Sequence, residues 1–135
     1  DRPPSFTRIA ANRVQFEVWS ERREVDVLRE FTLGLMPLVD EPWSRGKCSF
    51  KMLTYMSVGL PVVVSPIGMN REVLSHGLCG LPAISEMDWV DSISNLLTDP
   101  VAARAMGRCG RQIIETHFAK KVIAPRLIEV LKGVM

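Results

Sequence analysis

The sequence has few of the features that mark secreted, membrane-spanning or nucleic-acid-binding proteins. Its three cysteines, Cys48, Cys79 and Cys109, are an odd number without a CxxC pair, so neither a disulfide framework nor a zinc site is indicated. The longest apolar run, 58–64, contains glycine and proline and is far shorter than the roughly 20 residues of a membrane-spanning helix. Seventeen basic residues against fifteen acidic ones give a charge of only +2, too even a balance for a protein whose affinity rests on neutralising a phosphate backbone. We therefore expect no nucleic-acid partner and a reducing, cytoplasmic location.

The composition that remains is that of one globular domain or part of one. Of the 135 residues, 47% are hydrophobic and 24% are charged, which is typical of a folded chain and not of a disordered one. The sequence begins with Asp1 and shows no signal-peptide pattern. We interpret residues 1–135 as one partial domain, and more readily as an excised fragment than as a processed product.

Hydrophobic periodicity predicts strands that alternate with helices. The predicted strands are 14–19, 33–38, 60–65 and 81–84. The second strand is apolar on both faces, as a strand between two helical layers must be, and 39–47 follows it as a polar loop. This alternation predicts an α/β fold with a parallel, right-handed, doubly wound sheet.

The predicted helices carry recognisable ends and buried stripes. Gly59 should end one helix in the left-handed conformation, Ser85 and Asp88 resemble a capping box, and Asp99 should cap the helix that begins at Pro100. The expected buried residues are Val25, Leu28 and Phe31 after Ser20, Met52 and Met56 before Gly59, and Ala102, Met106, Cys109 and Ile113 after Pro100. Further helices are predicted over 70–75 and 120–132, the latter with Pro125 inside it.

The stretch 45–50, which joins the second strand to the next helix, is the best candidate binding site. Ligands of parallel α/β sheets bind beyond the carboxyl ends of strands, where helix N-termini offer free backbone N–H groups. Gly46 permits close backbone approach, the helix beginning near Ser49 supplies amides, and Lys47 and Lys51 bring two ammonium groups to one end. This arrangement predicts an anion site. The alternative, equally open on spacing alone, is that Ser49 is only an N-cap and both lysines are solvated.

Five segments, in this order and spacing, resemble the C-terminal lobe of group 1 (family 4) glycosyltransferases: 19–21, 34–38, 42–51, 55–63 and 65–73. The similarity continues through Gly77, Gly80, Asp99, Pro100, Arg104, Met106, Gly107, Gly110, Arg111 and Phe118. The resemblance implies a GT-B architecture, in which two Rossmann-like lobes face a cleft and the C-terminal lobe holds a nucleoside diphosphate sugar. The chain would then be an incomplete C-terminal lobe that contains the last four of six strands.

The resemblance also assigns roles to residues around the helix start. Backbone amides at Ser49, Phe50 and Lys51 would meet the donor diphosphate, and the charges of Lys47 and Lys51 would supplement them. It implies a retaining sugar transfer from a UDP-type or GDP-type donor, without a metal or other cofactor. The acceptor site would lie in the missing N-terminal lobe, so the fragment should not turn over alone.

The same resemblance aligns three further positions with functional residues of the family. Gly46 and Thr54 stand where the family usually has two glutamates, the first facing the transferred sugar and the second bonding the ribose hydroxyls. Thr54 can still form one such hydrogen bond, whereas Gly46 offers no side chain. Glu72 matches the glutamate after the family's glycine loop, although an acidic residue in the first turn of a short helix explains it equally well. No catalytic residue is identified.

Alternatives to an active transferase stay open. Gly46 and Thr54 favour a non-catalytic nucleotide-binding or interaction lobe of the same fold. A flavodoxin-like regulatory domain shares the architecture, but the acidic pair 40–41 follows only one strand. By analogy with relatives that use lipid-linked acceptors, the basic pairs 22–23 and 120–121 suggest contact with a membrane surface through the parent protein, although solvation explains them more simply.

The missing strands also predict a partner for the sheet edge. If the first two strands of the lobe are absent, residues 33–38 present an open apolar edge. We expect this edge either to pair directly with 14–18 or to be closed by another copy of the chain through strand exchange.

Overall fold

A parallel sheet of three short strands forms the centre of the computed structural model, which describes residues 3–134. The strands β1 (Gly34–Met36), β2 (Val62–Val64) and β3 (Gly80–Pro82) lie side by side in chain order. Their register aligns the first residues of the three strands with one another, and the last residues likewise. All carboxyl ends therefore meet at one edge of the sheet.

Helices occupy most of the rest of the described chain. They are α1 (Glu24–Arg29), α2 (Pro42–Arg45), α3 (Phe50–Ser57), α4 (Met69–Ser75), α5 (Glu86–Thr98), α6 (Pro100–Ile113) and α7 (Lys120–Val134). A 3₁₀ turn at Ala11–Arg13 and a π-helical turn at Ile114–Phe118 complete the elements. The α3 helix connects β1 to β2, α4 connects β2 to β3, and α5 and α6 follow β3.

The core lies on both faces of β2, whose three valines are completely buried. One cluster contains Met36, Met52, Met56, Val62, Val64, Val73, Cys79 and Ile113, and the opposite one contains Val63, Ala83, Leu96, Ala103 and Met106. Burying each valine stabilises the fold by roughly 1.5–3 kcal/mol relative to its exposure. With α3 and α4 on one face and α5 and α6 chiefly on the other, the predicted doubly wound α/β fold is confirmed, and the buried methionines are packing residues.

The local helix-end predictions are also confirmed. The Ser85 hydroxyl accepts from the N–H of Asp88 at 3.2 Å, and the Asp88 carboxylate accepts from the N–H of Ser85 at 2.8 Å, which is the reciprocal capping box. Asp99 accepts two backbone N–H groups at the start of α6. Gly59 follows α3 with φ of 81°, in the left-handed region that glycine favours.

The predicted first strand, 14–19, is wrong. The segment has no strand structure, and Val18 and Trp19 are 64% and 66% exposed. Alternating polarity makes a segment compatible with a strand, but a strand forms only when a neighbour pairs with its backbone. The sheet therefore has three strands and not four, and the expected direct pairing of 14–18 with 33–38 does not occur. Closure of the β1 edge by another copy stays a prediction.

The β1 strand is not covered on both faces as predicted, since Leu35 is 41% exposed. The predicted polar loop 39–47 contains the short helix α2, because Pro42 at its first position fixes a helical φ.

Two predicted buried stripes also need correction. In α1 only Leu28 is buried, while Val25 and Phe31, which lies two residues after the helix, are exposed, because this short helix has little packed against it. In α6 the buried alanine is Ala103 and not Ala102.

The last helix, α7, begins at Lys120 and includes Pro125, as predicted. Residues 125–134 are exposed along their whole length. Within residues 3–134, no helix is both long enough and apolar enough to cross a membrane.

Candidate functional site

A groove of about 530 Å³ lies between the carboxyl end of β1 and the start of α3. We call it the β1–α3 groove. One wall is formed by residues 35–38, and the other by Gly46, Lys47, Cys48, Phe50 and Lys51. The structure thus brings together four residues of the predicted anion site, at the position where ligands of parallel α/β sheets bind.

The first turn of α3 presents backbone N–H groups without protein acceptors. The first intrahelical bond runs from the Leu53 N–H to the Ser49 carbonyl at 3.0 Å. Among the described residues, no oxygen accepts from the N–H groups of Phe50, Lys51 or Met52. Such groups, together with the helix dipole, make a helix start favourable for an anion.

The two lysines of the site are free to approach a ligand. Lys47 and Lys51 are both exposed, and neither forms an ion pair with a carboxylate in the part of the chain that the structure describes. Their ammonium groups therefore add positive charge to the same wall of the groove as the free amides.

Ser49 does not cap α3 with its side chain, contrary to the simple N-cap interpretation. Its backbone is left-handed, with φ of 55° and ψ of 24°, which costs roughly 1–2 kcal/mol for a residue other than glycine. Its hydroxyl instead donates to Oδ1 of Asn70 at 2.6 Å. Because Ser49 is 1% exposed, that hydroxyl is not available to a ligand, and its contribution to the site is limited to the backbone.

Asn70 is the residue that sequence reasoning missed. It lies in the first turn of α4, is 1% exposed, and also donates from Nδ2 to the carbonyl of Ser65 at 2.9 Å. Asparagine is a poor helix former, so a buried asparagine inside a helix indicates a specific hydrogen-bonding role. The sequence showed only an asparagine at the predicted start of a helix, where this residue is common, so neither its burial nor its partner Ser49, 21 positions earlier, was predictable.

The backbone at Gly46 does not require glycine. Its φ of −82° and ψ of −4° are open to any residue, and a Cβ there would lie 3.6 Å from the Trp43 carbonyl, an ordinary contact. The backbone conformation therefore does not explain a glycine at position 46, and its role in permitting close approach of a ligand stays a prediction. Gly68 is the glycine that the local geometry requires, since its φ is 53° and a Cβ would lie 2.5 Å from the Arg45 carbonyl.

Arg45 also holds the loop that precedes the site. Its guanidinium donates two hydrogen bonds to the Asp40 carboxylate, at 2.7 and 3.2 Å. These bonds, with the charge of Arg45, hold the pKa of Asp40 below its usual value despite the opposing effect of desolvation. The ion pair connects the end of α2 to the segment after β1.

Thr54 and Glu72 lie outside the β1–α3 groove. Thr54 is half-buried on α3, and its hydroxyl donates to the Phe50 carbonyl at 2.9 Å. Glu72 is exposed in the first turn of α4, where a carboxylate is favoured by the helix dipole. The structure therefore brings five of the seven predicted site residues to one helix start and leaves these two apart from it.

The fold is that of an α/β protein of the Rossmann-like type, with a groove at the carboxyl edge of its parallel sheet. The family model described as glycosyl transferases group 1 matches residues 2–99, which include all three strands and both walls of the groove. The chain belongs to this family. No curated protein matches the sequence.

Proposed function

We propose that the chain is part of the C-terminal, donor-binding lobe of a family 4 glycosyltransferase with GT-B architecture. The donor is a nucleoside diphosphate sugar of the UDP or GDP type, and its diphosphate binds in the β1–α3 groove. The observation that carries this proposal is the set of amides in the first turn of α3 that have no acceptor within residues 3–134, beside the ammonium groups of Lys47 and Lys51, which form no ion pair within the same residues. The family match supports sugar transfer as the reaction.

The groove suits the departure of a nucleoside diphosphate. When the sugar leaves its donor, negative charge grows on the diphosphate oxygen, and fixed N–H groups and lysine charges stabilise that charge without reorganisation. We assign this neutralisation to the chain's own amides and lysines and not to a cofactor. The transfer retains the anomeric configuration, and the acceptor binds to an N-terminal lobe outside residues 1–135, so the chain alone has no turnover.

A second candidate is a nucleotide-binding or interaction lobe that has lost catalysis. The observations that favour it are at Gly46, which has no side chain, and at Thr54, whose hydroxyl already bonds to Phe50. These are the two positions where the family usually carries glutamates. Sugar transfer assayed with both lobes present separates the candidates, because the first one releases nucleoside diphosphate and the second one does not.

Calorimetric titration of the chain with UDP and GDP tests the donor site. We expect binding of at least one nucleotide, weakened about tenfold by Lys47→Ala and by Lys51→Ala, since each removes a charge-assisted contact. Lys132→Ala removes an exposed lysine from α7 and should leave the affinity unchanged. Wild-type protein that binds neither nucleotide contradicts the proposed function, and unchanged affinity in both groove variants excludes the lysines from the site.

A further inference from the structure

We propose that Asn70 is a positioning residue for the diphosphate site. It holds the start of α3 at a fixed place relative to the carboxyl end of β1, although it does not itself line the β1–α3 groove. The inference rests on the proposed function, because it concerns the site assigned there to the donor diphosphate.

A continuous chain of hydrogen bonds connects the two walls of the groove through this side chain. On the first wall, the N–H of Leu38 donates to the Ser65 hydroxyl at 2.9 Å. The carbonyl of Ser65 accepts from Nδ2 of Asn70 at 2.9 Å, and Oδ1 of Asn70 accepts from the Ser49 hydroxyl at 2.6 Å. Ser49 immediately precedes α3, so one amide side chain bridges the end of the sheet and the helix start.

Because these hydrogen bonds are buried, removing any one of the side chains that form them should disrupt the link between the two walls. Asn70 and Ser49 are each 1% exposed, and Ser65 is 6% exposed. Water has little access to replace a lost partner, so a truncated side chain leaves buried polar groups without hydrogen bonds.

The left-handed backbone of Ser49 connects this network to the site. The ψ angle of Ser49 orients the peptide that carries the Phe50 N–H, the first free amide of α3. Without the hydrogen bond that its hydroxyl donates to Asn70, Ser49 can relax toward the more favourable right-handed region. That rotation turns the Phe50 N–H away from its present direction, so the loss of Asn70 should weaken diphosphate binding without removing any group that touches the ligand.

Val73 provides the matched control for a purely structural role. It lies one turn after Asn70 on α4, is completely buried, and packs in the cluster around β2. Val73→Ala should therefore lower the stability of the fold while leaving the Ser49 hydrogen bond in place. A structural role for Asn70 predicts equal effects of the two substitutions on binding.

The test is calorimetric titration of the 135-residue chain with UDP, GDP and inorganic pyrophosphate, at a temperature where circular dichroism shows each variant folded. We expect Asn70→Ala to weaken nucleotide and pyrophosphate binding by the same factor, about tenfold or more, and Val73→Ala to change it less than about twofold. Ser49→Ala should reproduce the loss, and the double variant should bind no more weakly than Asn70→Ala. If Asn70→Ala does not fold, Ser49→Ala against Val73→Ala decides the question.

The outcomes separate this inference from the proposed function. A wild-type chain that binds neither UDP nor GDP overturns both. Wild-type binding that Asn70→Ala and Val73→Ala weaken equally overturns the positioning role alone, as do additive losses in the double variant.

Discussion

The hydroxyl of Thr54 donates a hydrogen bond to the carbonyl oxygen of Phe50, one turn earlier in α3, at 2.9 Å. The donor capacity of this side chain is therefore used inside its own helix, and only the lone pairs of its oxygen stay free. A hydroxyl oxygen is a weaker acceptor than a carboxylate, which can take hydrogen bonds from two neighbouring hydroxyls. If the ribose of the donor lies beside α3, this chain binds it less tightly than a relative with glutamate there.

Substitution of Thr54 by glutamate tests the position of the ribose. We expect Thr54→Glu to tighten binding of the preferred nucleoside diphosphate about threefold, because the carboxylate accepts from the ribose hydroxyls. Inorganic pyrophosphate has no ribose, so its binding should not tighten. Calorimetry with both ligands measures the difference.

Thr54→Ala serves as the control for this substitution, since it removes the hydroxyl without adding an acceptor. An equal change in nucleotide and pyrophosphate affinity, or weaker nucleotide binding in Thr54→Glu, would place the ribose away from α3.

Alanine substitutions at two glycines distinguish the stability lost through backbone strain alone from the stability lost through strain together with a steric clash. Gly59 and Gly68 both have positive φ, of 81° and 53°, but a Cβ at Gly59 meets nothing within 4 Å, whereas one at Gly68 meets the Arg45 carbonyl at 2.5 Å. We expect Gly59→Ala to destabilise the chain by about 1 kcal/mol and Gly68→Ala by about 3 kcal/mol or more. Urea denaturation followed by circular dichroism measures both.

Gly68→Ala should in addition weaken nucleotide binding, since relief of the clash displaces Arg45 and the adjoining wall of the β1–α3 groove. Equal stability losses in the two variants would show that the close approach at Gly68 does not constrain the fold.

Strands, helix caps and helix starts that depend on residues a few positions away along the chain were predictable from the sequence. The segment 60–65 was predicted as a buried strand because its run of β-branched residues is ended by a proline, and the structure contains the strand Val62–Val64 there. The capping box of Ser85 and Asp88 and the cap at Asp99 depend on contacts within three residues, and the structure contains all of them. The helix start at Phe50 belongs to the same group.

Features that depend on distant partners were not predictable. The segment 14–19 alternates as a strand does, yet pairing requires a neighbour that the pattern cannot reveal. The hydrogen bond between Ser49 and Asn70 spans 21 positions, so local rules assigned Ser49 a capping role that its left-handed backbone does not support. In the site, the sequence thus predicted the helix start but not what holds it in place.

The ion pair between Arg45 and Asp40 predicts a dependence of stability on pH. Because the pKa of Asp40 is lowered in the folded state, its contribution is fully present above the ordinary value of 3.8 and is lost as the pH falls through the lowered value. Asp40→Asn should therefore lower the melting temperature at pH 7 by a small amount, since the pair is exposed, and the difference from wild type should disappear as the pH falls below 3.8 and through the lowered pKa of Asp40.

Thermal unfolding at several pH values measures this effect. Asp91→Asn is the control, because Asp91 is exposed and forms no ion pair within the described residues. A constant difference between wild type and Asp40→Asn from pH 7 to pH 2 would mean that the carboxylate charge of Asp40 does not contribute.

The cysteines provide a chemical test of where the nucleotide binds. Cys48 is exposed and lines the β1–α3 groove, whereas Cys79 is buried, and burial raises its pKa to about 11. Alkylation requires the thiolate, so iodoacetamide at pH 8 should modify Cys48 first and Cys79 only after unfolding. Saturating nucleotide should slow modification of Cys48 by about tenfold, because the occupied groove excludes the reagent. Mass spectrometry of the digested protein follows each site separately, with the half-buried Cys109, which does not line the groove, as the internal reference. If calorimetry shows nucleotide binding while Cys48 reacts at an unchanged rate, the diphosphate does not occupy the β1–α3 groove, and the free amides of α3 are not its ligands.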